Sequence, residues 1–283
     1  MENIILFLKS VITIMIPVFF ASLGGLFASL SGTLNIALEG LLLAGAFSSL
    51  TVFYFTGNYF LAVLSAVLAA AALAALHAVC IFKIKTNLFI SGLAVNLLSS
   101  GFCIILSEKI FNTKGVIAVN VNQVLLDSNI LLSVYSITGI ILLLISWLSI
   151  YKTPFGYRLR SCDKNSEALI SLGINPGFFK AVSIIISGVF CGIGGSFLSL
   201  NLAAYVPEMS SGRGWISLAV IFLGLKKPLG VLAASFIFAL AEAFSNYTQG
   251  FLNIPADFIL SFPYICSLTA LILFSIFSKK QGI

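Results

Sequence analysis

The chain of 283 residues is 60% hydrophobic and only 8% charged, whereas soluble domains are roughly 45–50% apolar and about 25% charged. A soluble fold cannot bury that much apolar surface, so the composition excludes a water-soluble domain and predicts a single transmembrane domain over residues 1–283. The net charge of +6 does not indicate a nucleic-acid partner, because the basic residues are dispersed between apolar runs and form no patch interleaved with aromatic residues.

Hydropathy divides the chain into apolar segments, which we expect to be helical because lipid-facing backbone must satisfy its own hydrogen bonds. They lie near 4–28, 34–56, 59–81, 87–106, 130–150, 181–203, 214–225, 229–248 and 258–277. The run at 214–225 is too short to span a bilayer alone and is expected to be a half-helix or a re-entrant element. The predicted fold is an all-α, polytopic integral membrane bundle with eight or nine transmembrane segments.

Basic residues predict the orientation, because cytoplasmic loops collect Lys and Arg. One set of alternate loops, with the C-terminal tail, holds eleven: Lys83, Lys85, Lys152, Arg158, Arg160, Lys164, Lys180, Lys226, Lys227, Lys279 and Lys280. We assign only Lys109, Lys114 and Arg213 to the opposite set. This asymmetry places the loop 151–180 and the C-terminus in the cytoplasm. It leaves the side of the N-terminus open, because no basic residue lies between Lys9 and Lys83.

A polar break at 31–40 interrupts two long apolar stretches. Asn35 and Glu39 are four residues apart and share a face if the segment is helical there. A carboxylate inside a bilayer costs about 2.5–3.5 kcal/mol or more, so Glu39 should face the bundle or a water-filled cavity. The pair is a candidate part of a solute path, with Gly32 and Gly40 permitting a broken helix. The alternatives are a hydrated helix end at the membrane interface and a structural hydrogen bond between helices.

Three further polar residues are candidates for the solute path. Glu242 and Asn246 repeat the four-residue spacing, and Glu242 lies near the centre of its apolar run. They either line the path or clamp two helices together. Asn96 lies alone in the middle of 87–106 and could bind solute or bridge helices.

The segment 181–203 is unusually rich in small residues. They are Gly188, Cys191, Gly192, Gly194 and Gly195. Small residues let membrane helices approach closely, so we expect them to serve packing and not chemistry.

The loop 151–180 is the longest polar stretch in the chain. Within it, Ser166 to Leu172 contains no helix breaker, while Gly173 and Pro176 supply a helix stop. This pattern predicts a short amphipathic helix on the cytoplasmic face. Such a helix could sit in a groove of a soluble subunit and pass its movement to the two flanking membrane helices. The alternative is a merely solvated loop.

Enzymatic chemistry is not indicated. No G-x-x-x-x-G-K-[ST] phosphate-binding loop occurs, so any ATP must be hydrolysed by another polypeptide, and no cofactor is expected in this chain. The five cysteines are scattered singly without C-x-x-C spacing, and no metal site is predicted. An intramembrane enzyme is disfavoured because no His, Asp or Cys pair has nucleophile–base or ligand spacing.

Four stretches resemble the permeases of the branched-chain amino acid, ribose and nucleoside branch of ABC importers, and most closely the nucleoside and simple-sugar subgroup. The first is Gly32-Thr-Leu-Asn-Ile-Ala-Leu-Glu-Gly40, and the second runs from Thr153-Pro-Phe-Gly-Tyr-Arg-Leu-Arg160 to Glu167-Ala168 and Gly173-Ile-Asn175. The third is Gly212-Arg-Gly-Trp-Ile-Ser-Leu-Ala219 with Pro228-Leu-Gly230, and the fourth is Ile254-Pro255 with Pro263-Tyr264. They occur in the family's order over nearly the whole chain.

The resemblance implies a cytoplasmic coupling helix that docks onto an ATPase. The residues it assigns to coupling are Pro154, Gly156, Arg158, Arg160, Glu167, Ala168 and Gly173. The family commonly has Ala-x-Gly-x-Asn-Pro after the arginines, where this chain has Ser161 to Ser166, so the turn into the coupling helix departs from the pattern.

The resemblance also implies the setting of the protein. The expected location is the plasma (inner) membrane of a bacterium, as a multi-pass protein surrounded by membrane lipid. The expected partners are ABC ATPase subunits, a second permease chain in a homo- or heterodimer, and an extracytoplasmic solute-binding protein.

The function expected from these observations is import of a nucleoside or simple sugar, powered by a separate ATPase. The alternative is an ion-coupled secondary transporter, in which Glu39 and Glu242 would carry the coupling ion. Nucleosides and sugars offer hydroxyls that Asn and Glu can bind, whereas branched-chain amino acids would also require sites for a charged amine and carboxylate. The sequence does not choose between nucleoside and sugar.

Overall fold

The computed structural model describes residues 2–119 and 128–248, which are almost entirely helical. The long helices are α1 (Glu2–Leu30), α2 (Leu38–Thr56), α3 (Tyr59–Phe82), α4 (Leu88–Phe111), α5 (Ser128–Lys152), α8 (Pro176–Leu202) and α10 (Pro228–Thr248). The short elements are β1 (Ile117–Ala118), α6 (Pro154–Lys164), α7 (Ser166–Ser171), β2 (Ala204–Tyr205) and α9 (Arg213–Leu223). Within the described ranges, seven helices are long and apolar enough to cross a membrane.

Eight of the predicted apolar segments correspond to these helices, and the predicted segment 258–277 lies outside the described residues. The run expected to be too short for a span is α9, an apolar helix of 11 residues. The prediction that α2 begins at 34 is wrong, because residues 31–37 are non-helical and Gly32 has a left-handed φ of 78°.

Pro176 begins a helix, which corrects its predicted role as a stop. Asn175 is the N-cap of α8, its Oδ1 accepts the Gly177 amide at 2.9 Å, and Pro176 occupies the first turn. Proline suits that position because its missing N–H would have no partner there. The helix α8 therefore starts five residues before the predicted 181, and the polar connection between α5 and α8 is 153–175.

Helix α8 is the centre of the bundle and packs against α1, α2 and α3. Its small residues make this possible, as predicted: a Cβ on Gly192 would lie 2.6 Å from the Ala66 carbonyl oxygen of α3, and one on Gly195 would lie 2.9 Å from the Ala46 amide of α2. The facing stripe of α3 is alanine at every fourth position, at Ala62, Ala66, Ala70, Ala74 and Ala78. Close backbone approach takes the place of large side chains in this core.

Hydroxyl groups along α8 tie it to its neighbours. Ser183 Oγ lies 3.0 Å from Ser31 Oγ, and Ser199 Oγ lies 2.8 Å from Ser49 Oγ of α2. Ser196 Oγ lies 2.7 Å from the Tyr135 hydroxyl of α5. Interhelical hydrogen bonds of this kind fix helix register where no hydrophobic driving force operates between helices.

The two ends of the bundle are defined by contacts between elements far apart in sequence. At one end, Lys9 Nζ donates to Asn129 Oδ1 at 3.0 Å, which joins the starts of α1 and α5. The same end holds the antiparallel pair of β1 and β2, with Ile117 opposite Tyr205. At the other end, Gly32 lies against α6, where a Cβ on it would be 2.5 Å from Asp163 Oδ1.

Basic residues are concentrated at the end that holds α6 and α7. In the described ranges this end carries Lys83, Lys85, Lys152, Arg158, Arg160, Lys164, Lys180, Lys226 and Lys227, and the opposite end carries Lys9, Lys109 and Lys114. The assignment of Arg213 to an outer loop is wrong, since it is the first residue of α9 and its side chain is only 21% exposed.

Candidate functional site

Two helices, α2 and α9, begin inside the bundle and face each other at their N-termini. The helix α9 has 11 residues and is about 16 Å long, roughly half of a hydrocarbon core of about 30 Å. It ends at the turn that carries Lys226 and Lys227, at the basic end of the bundle. Its first residue, Arg213, therefore lies near the middle of the bundle's depth.

Asn35 stabilises the interrupted segment that precedes α2. Its Oδ1 accepts the Ala37 amide at 3.0 Å, and its Nδ2 donates to the Ser187 hydroxyl of α8. The side chain is buried. Asn35 precedes α2, so the condition for a helix face shared with Glu39, a helical segment at 35–39, is not met.

Asn96 of α4 binds the backbone at the same break. Its Oδ1 accepts the Gly40 amide at 2.8 Å, and its Nδ2 donates to the Ile36 carbonyl at 3.0 Å. Ser99, one turn further along α4, donates to the Gly40 carbonyl at 2.6 Å. The non-helical segment before α2 leaves backbone N–H and C=O groups without helical partners, and α4 side chains supply their hydrogen bonds. Non-helical backbone at membrane depth is tolerated only where such partners exist. Asn96 bridges helices, one of the two roles expected for it.

Glu39 caps the start of α9. Its Oε1 accepts the Gly212 amide at 2.8 Å and its Oε2 accepts the Gly214 amide at 2.6 Å. The unpaired amides and the dipole of a helix N-terminus favour a negative charge there. Residue 214 is restricted to glycine, because a Cβ would lie 2.8 Å from Glu39 Oε2 and still closer to the Glu39 backbone.

Arg213 and Glu242 form an ion pair beside this cap. Arg213 Nη2 lies 3.6 Å from Glu242 Oε1, and both side chains are 21% exposed. Arg213 Nη1 also donates to the Met209 carbonyl at 3.1 Å. Within the described residues, Arg213 Nε is buried and has no hydrogen-bond partner. The structure therefore brings Glu39, Asn96, Arg213 and Glu242 to one polar region between α2, α4, α9 and α10.

Asn246 is not part of this region. It is exposed near the C-terminal end of α10, where it lines a shallow pocket with Leu6, Phe7 and Ser10 of α1. It lies one turn beyond Glu242, toward the end of the bundle where α1 begins.

The connection between α5 and α8 contains two short helices. Thr153 is the N-cap of α6, with its Oγ1 accepting the Gly156 amide at 3.3 Å, and Pro154 occupies the first turn. Gly156 is buried against the last turn of α5, since a Cβ there would lie 2.5 Å from the Ile150 carbonyl carbon. Helix α6 was not foreseen in the sequence, where 151–165 reads as a polar loop.

The arginines of α6 stack on aromatic rings. The Arg160 guanidinium carbon lies 5.2 Å from the Tyr151 ring centroid and 5.0 Å from that of Tyr157. The Arg158 guanidinium carbon lies 6.0 Å from the Phe179 ring centroid of α8. These cation–π contacts attach α6 to both neighbouring long helices.

Helix α7 is the short helix predicted at 166–172. Leu169 is buried and anchors it, whereas Glu167 and Ala168 are exposed. Ile170 and Leu172 are also exposed, 62% and 74% respectively. Gly173 ends the helix with a left-handed φ of 74°. The result is a small apolar surface with an acidic residue, outside the long helices.

Comparison with protein families identifies the class of protein. The family described as "Branched-chain amino acid transport system / permease component" matches residues 7–274. The chain belongs to this permease family.

Two relatives resemble this permease over most of its length. A guanosine ABC transporter permease protein of Bacillus subtilis, NupQ, is 31% identical over 90% of this chain and 87% of its own. A nucleoside ABC transporter permease protein of Lactococcus lactis, NupC, is 29% identical over 94% of this chain and 92% of its own.

A solved structure shares the permease's fold. A chain of PsaBC from Streptococcus pneumoniae, determined in complex with Fab, superposes with a TM-score of 0.51 over 95% of this chain and 89% of its own, at 18% identity. At that identity the likeness concerns the fold alone.

Several residues of the permease's polar region were missed by the sequence reading. Ser99, Ser187 and Gly214 contact the predicted residues directly, and Arg213 was placed outside the bundle. The position of Arg213 could have been predicted from the sequence, because this residue begins an apolar run too short to span the membrane alone. If that run is a re-entrant helix, the charge of Arg213 must enter the membrane region with it. Ser187 and Ser99 carry no such signal, since single serines are common throughout the apolar segments.

Proposed function

We propose that this permease is the membrane-spanning subunit of an ABC importer that carries a nucleoside into the cell, with a simple sugar as the alternative solute. Similarity to the nucleoside permeases of two bacteria supports this proposal. The structural observation that carries the choice of solute is that the two acidic residues of the central polar region already have partners within the chain.

The internal pairing of both carboxylates favours an uncharged solute. The Glu39 carboxylate is held by two amides at the start of α9, and the Glu242 carboxylate pairs with Arg213. An amino acid would need its own partners for an amine and a carboxylate, and recruiting these groups would leave a charge uncompensated inside the membrane. A nucleoside or sugar needs only hydrogen bonds and apolar contacts.

Arg213 Nε and Trp215 supply groups suited to such a solute. The Nε atom is a buried donor without a partner in the described structure, and it would bind a hydroxyl or a base carbonyl once the side chains around it move apart. Trp215 follows Gly214 in the first turn of α9, and its side chain is 44% exposed. An exposed indole at this depth is unusual, since Trp is enriched at membrane interfaces, and its face would stack on a nucleobase.

The α6–α7 segment supports coupling to an ATPase. Ile170 and Leu172 expose apolar surface outside the long helices, beside Glu167 and Ala168, and a groove of a soluble subunit would cover it. Movement of α7 would reach both flanking helices, because α6 is anchored to α5 through Tyr151 and to α8 through Phe179. The same segment contains Pro154, Arg158 and Arg160. Its backbone path requires glycine at two positions, Gly156 and Gly173.

The proposed assembly contains further subunits. A second permease chain, identical or different, would complete a path between two bundles. An extracytoplasmic solute-binding protein would dock at the end that carries the β1–β2 pair. An ion-coupled secondary transporter is not favoured, because each candidate ion carrier, Glu39 and Glu242, already has a partner within the chain.

The decisive experiment is transport by the complete complex in proteoliposomes. Uptake is measured for radiolabelled nucleoside, simple sugar and leucine. Each solute is tested with ATP inside the vesicles, with ATP outside them, and with and without an ion gradient. We expect nucleoside uptake that requires ATP on the side of α6 and α7. Leucine uptake would contradict the uncharged-solute proposal, and uptake driven by an ion gradient alone would contradict ATP coupling.

A further inference from the structure

A basic cleft of about 590 Å³ opens at the end of the bundle that holds α6, between α6 and the α9–α10 turn. Its lining includes Arg160, Lys164, Lys226 and Lys227, together with Tyr151 and Tyr157. Asp163 is the one carboxylate among the described residues of the lining. Four cations facing one carboxylate give the cleft a strongly positive potential.

In the described part of the chain, none of these cations forms an ion pair, and Asp163 offsets at most one of the four charges. The ion pairs found there join Lys114 to Glu108 and Arg213 to Glu242, neither of which is in the cleft. Arg160 is held in place by stacking on Tyr151 and Tyr157. The cleft therefore favours a compact anion.

The turn between α9 and α10 holds its lysines at the cleft. Leu225 and Lys226 both have left-handed φ angles, 56° and 53°. Non-glycine residues adopt this conformation only when the surrounding structure enforces it. Here the two helices meet at Gly224 and Gly230, where a Cβ on Gly224 would lie 2.6 Å from the Gly230 carbonyl carbon.

An apolar groove of about 340 Å³ begins where the basic cleft ends. It runs along α10 past Gly230, Ala233, Ala234 and Ile237 to Ala241. Leu225 and Lys227 line both the groove and the cleft, so the two are continuous. The distance from residue 230 to residue 241 along the helix is about 16 Å, close to the depth of one leaflet of the hydrocarbon core.

We infer that the cleft and groove together bind one anionic phospholipid, with the phosphate headgroup among Lys226, Lys227, Arg160 and Lys164 and an acyl chain in the groove along α10. Basic pockets on the cytoplasmic side of membrane proteins recognise such headgroups by this chemistry. A second permease chain covering the groove would bury apolar surface but leave the four cations with Asp163 as their one described counter-charge. The inference needs only a membrane-spanning chain and is independent of the transported solute.

The test measures lipid retention by the intact complex. Complexes purified from nanodiscs containing equal amounts of phosphatidylglycerol and phosphatidylcholine are analysed by native mass spectrometry. We expect the wild type to retain phosphatidylglycerol selectively. The double variant Lys226→Gln/Lys227→Gln should bind it about thirtyfold more weakly, given the usual contribution of each basic residue near an anionic headgroup. The matched control Lys83→Gln/Lys85→Gln removes two lysines from another loop at the same end and should bind like the wild type.

A second variant separates a lipid from a free anion. Ala233 is exposed in the groove, so Ala233→Phe fills it without disturbing the core and should reduce retention of phosphatidylglycerol, whereas Ala72→Phe on the exposed face of α3 should not. Thermal unfolding of each variant checks folding. The inference would be overturned if the complex retained the two lipids equally or if neither test variant changed lipid retention. It would also be overturned if millimolar inorganic phosphate fully displaced the lipid and Ala233→Phe left lipid retention unchanged. An assembled complex that retains no lipid, because a second chain or an ATPase covers the site, would also overturn it.

Discussion

The Glu39 carboxylate and the Gly214 amide are joined by a hydrogen bond of 2.6 Å that links the starts of two interrupted helices, α2 and α9. The two residues are separated by 175 positions in the sequence. The helix α9 holds no capping side chain of its own, since its N-cap is Gly212, so Glu39 supplies the cap from another part of the chain.

Removing this cap should destabilise the bundle. Glu39→Ala loses two hydrogen bonds to a charged acceptor, each worth about 1.5–3 kcal/mol, and leaves two amides unsatisfied. Glu39→Gln keeps one acceptor and should cost less. We expect a clear fall in the thermal unfolding temperature for Glu39→Ala and a smaller fall for Glu39→Gln. Transport activity should fall in the same order.

A pair of glycine variants checks the same contact from the other side. Gly214→Ala would place its Cβ against Glu39 and should reproduce the defect, whereas Gly101→Ala has nothing within 4 Å and should behave as the wild type. As a further control, Glu108→Ala breaks an exposed pair with Lys114 and should have little effect. A Gly214→Ala variant with normal stability would disprove the capping role.

The Arg213–Glu242 pair predicts strong coupling in a double-mutant cycle. Arg213→Gln and Glu242→Gln should each reduce stability, because each leaves a charge unpaired in a mostly buried region. The double variant should be less destabilised than the sum of the two single variants. Additive effects, measured by thermal unfolding in detergent, would show that the two side chains act independently.

Trp215→Leu should separate nucleosides from sugars. If the indole stacks on the nucleobase, the variant loses an interaction worth about 1–3 kcal/mol, and nucleoside affinity should fall about tenfold or more. Sugar uptake, if present, should change little, and Trp147→Leu on α5 is the matched control. An equal loss for both solutes would assign Trp215 a packing role.

The α7 surface predicts a selective coupling defect. Ala168→Arg adds bulk to an exposed position that an ATPase groove would cover, and Glu167→Lys reverses a charge there. Both variants should fold and insert, because the residues are exposed outside the long helices, yet ATP hydrolysis should no longer respond to solute. Lys85→Glu, on another exposed loop at the same end, is the charge-reversal control. Normal uptake and solute-stimulated ATPase activity in both test variants would remove the coupling assignment.

Topology provides a test that involves no transport. The charge asymmetry predicts that α6 and α7 lie in the cytoplasm. Because Lys9 contacts Asn129 at the opposite end of the bundle, the start of α1 is then expected outside. In a background without native cysteines, Lys9→Cys should react with a membrane-impermeant maleimide on intact cells, and Lys164→Cys only after permeabilisation. The reversed pattern would invert the orientation. The tail with Lys279 and Lys280, outside the described residues, is expected on the cytoplasmic side.

The helices could be predicted from the sequence because their cause is local. A run of apolar residues must form a helix in lipid whatever its neighbours are, so α1, α3, α4, α5 and α10 appear where hydropathy places them. The same reasoning identified α9 as too short to span, and the absence of helix breakers in 166–172 predicted the short helix α7. It also recognised the small residues of α8 as packing positions.

The central polar region depended on the tertiary structure. The four-residue spacing of Asn35 and Glu39 suggested one helix face, but α2 begins between them, at Leu38, and each residue binds a different partner. The pairing of Arg213 with Glu242 could not be predicted because nothing local brings the start of α9 beside the second half of α10. Contacts between distant elements, at Lys9 and Gly32, likewise decided that the start of α1 lies at the end of the bundle opposite α6. Local sequence determined where this chain forms helices, since backbone hydrogen bonding in lipid is a local requirement. Which charges neutralise one another was decided by packing, since it depends on how the helices are arranged in space.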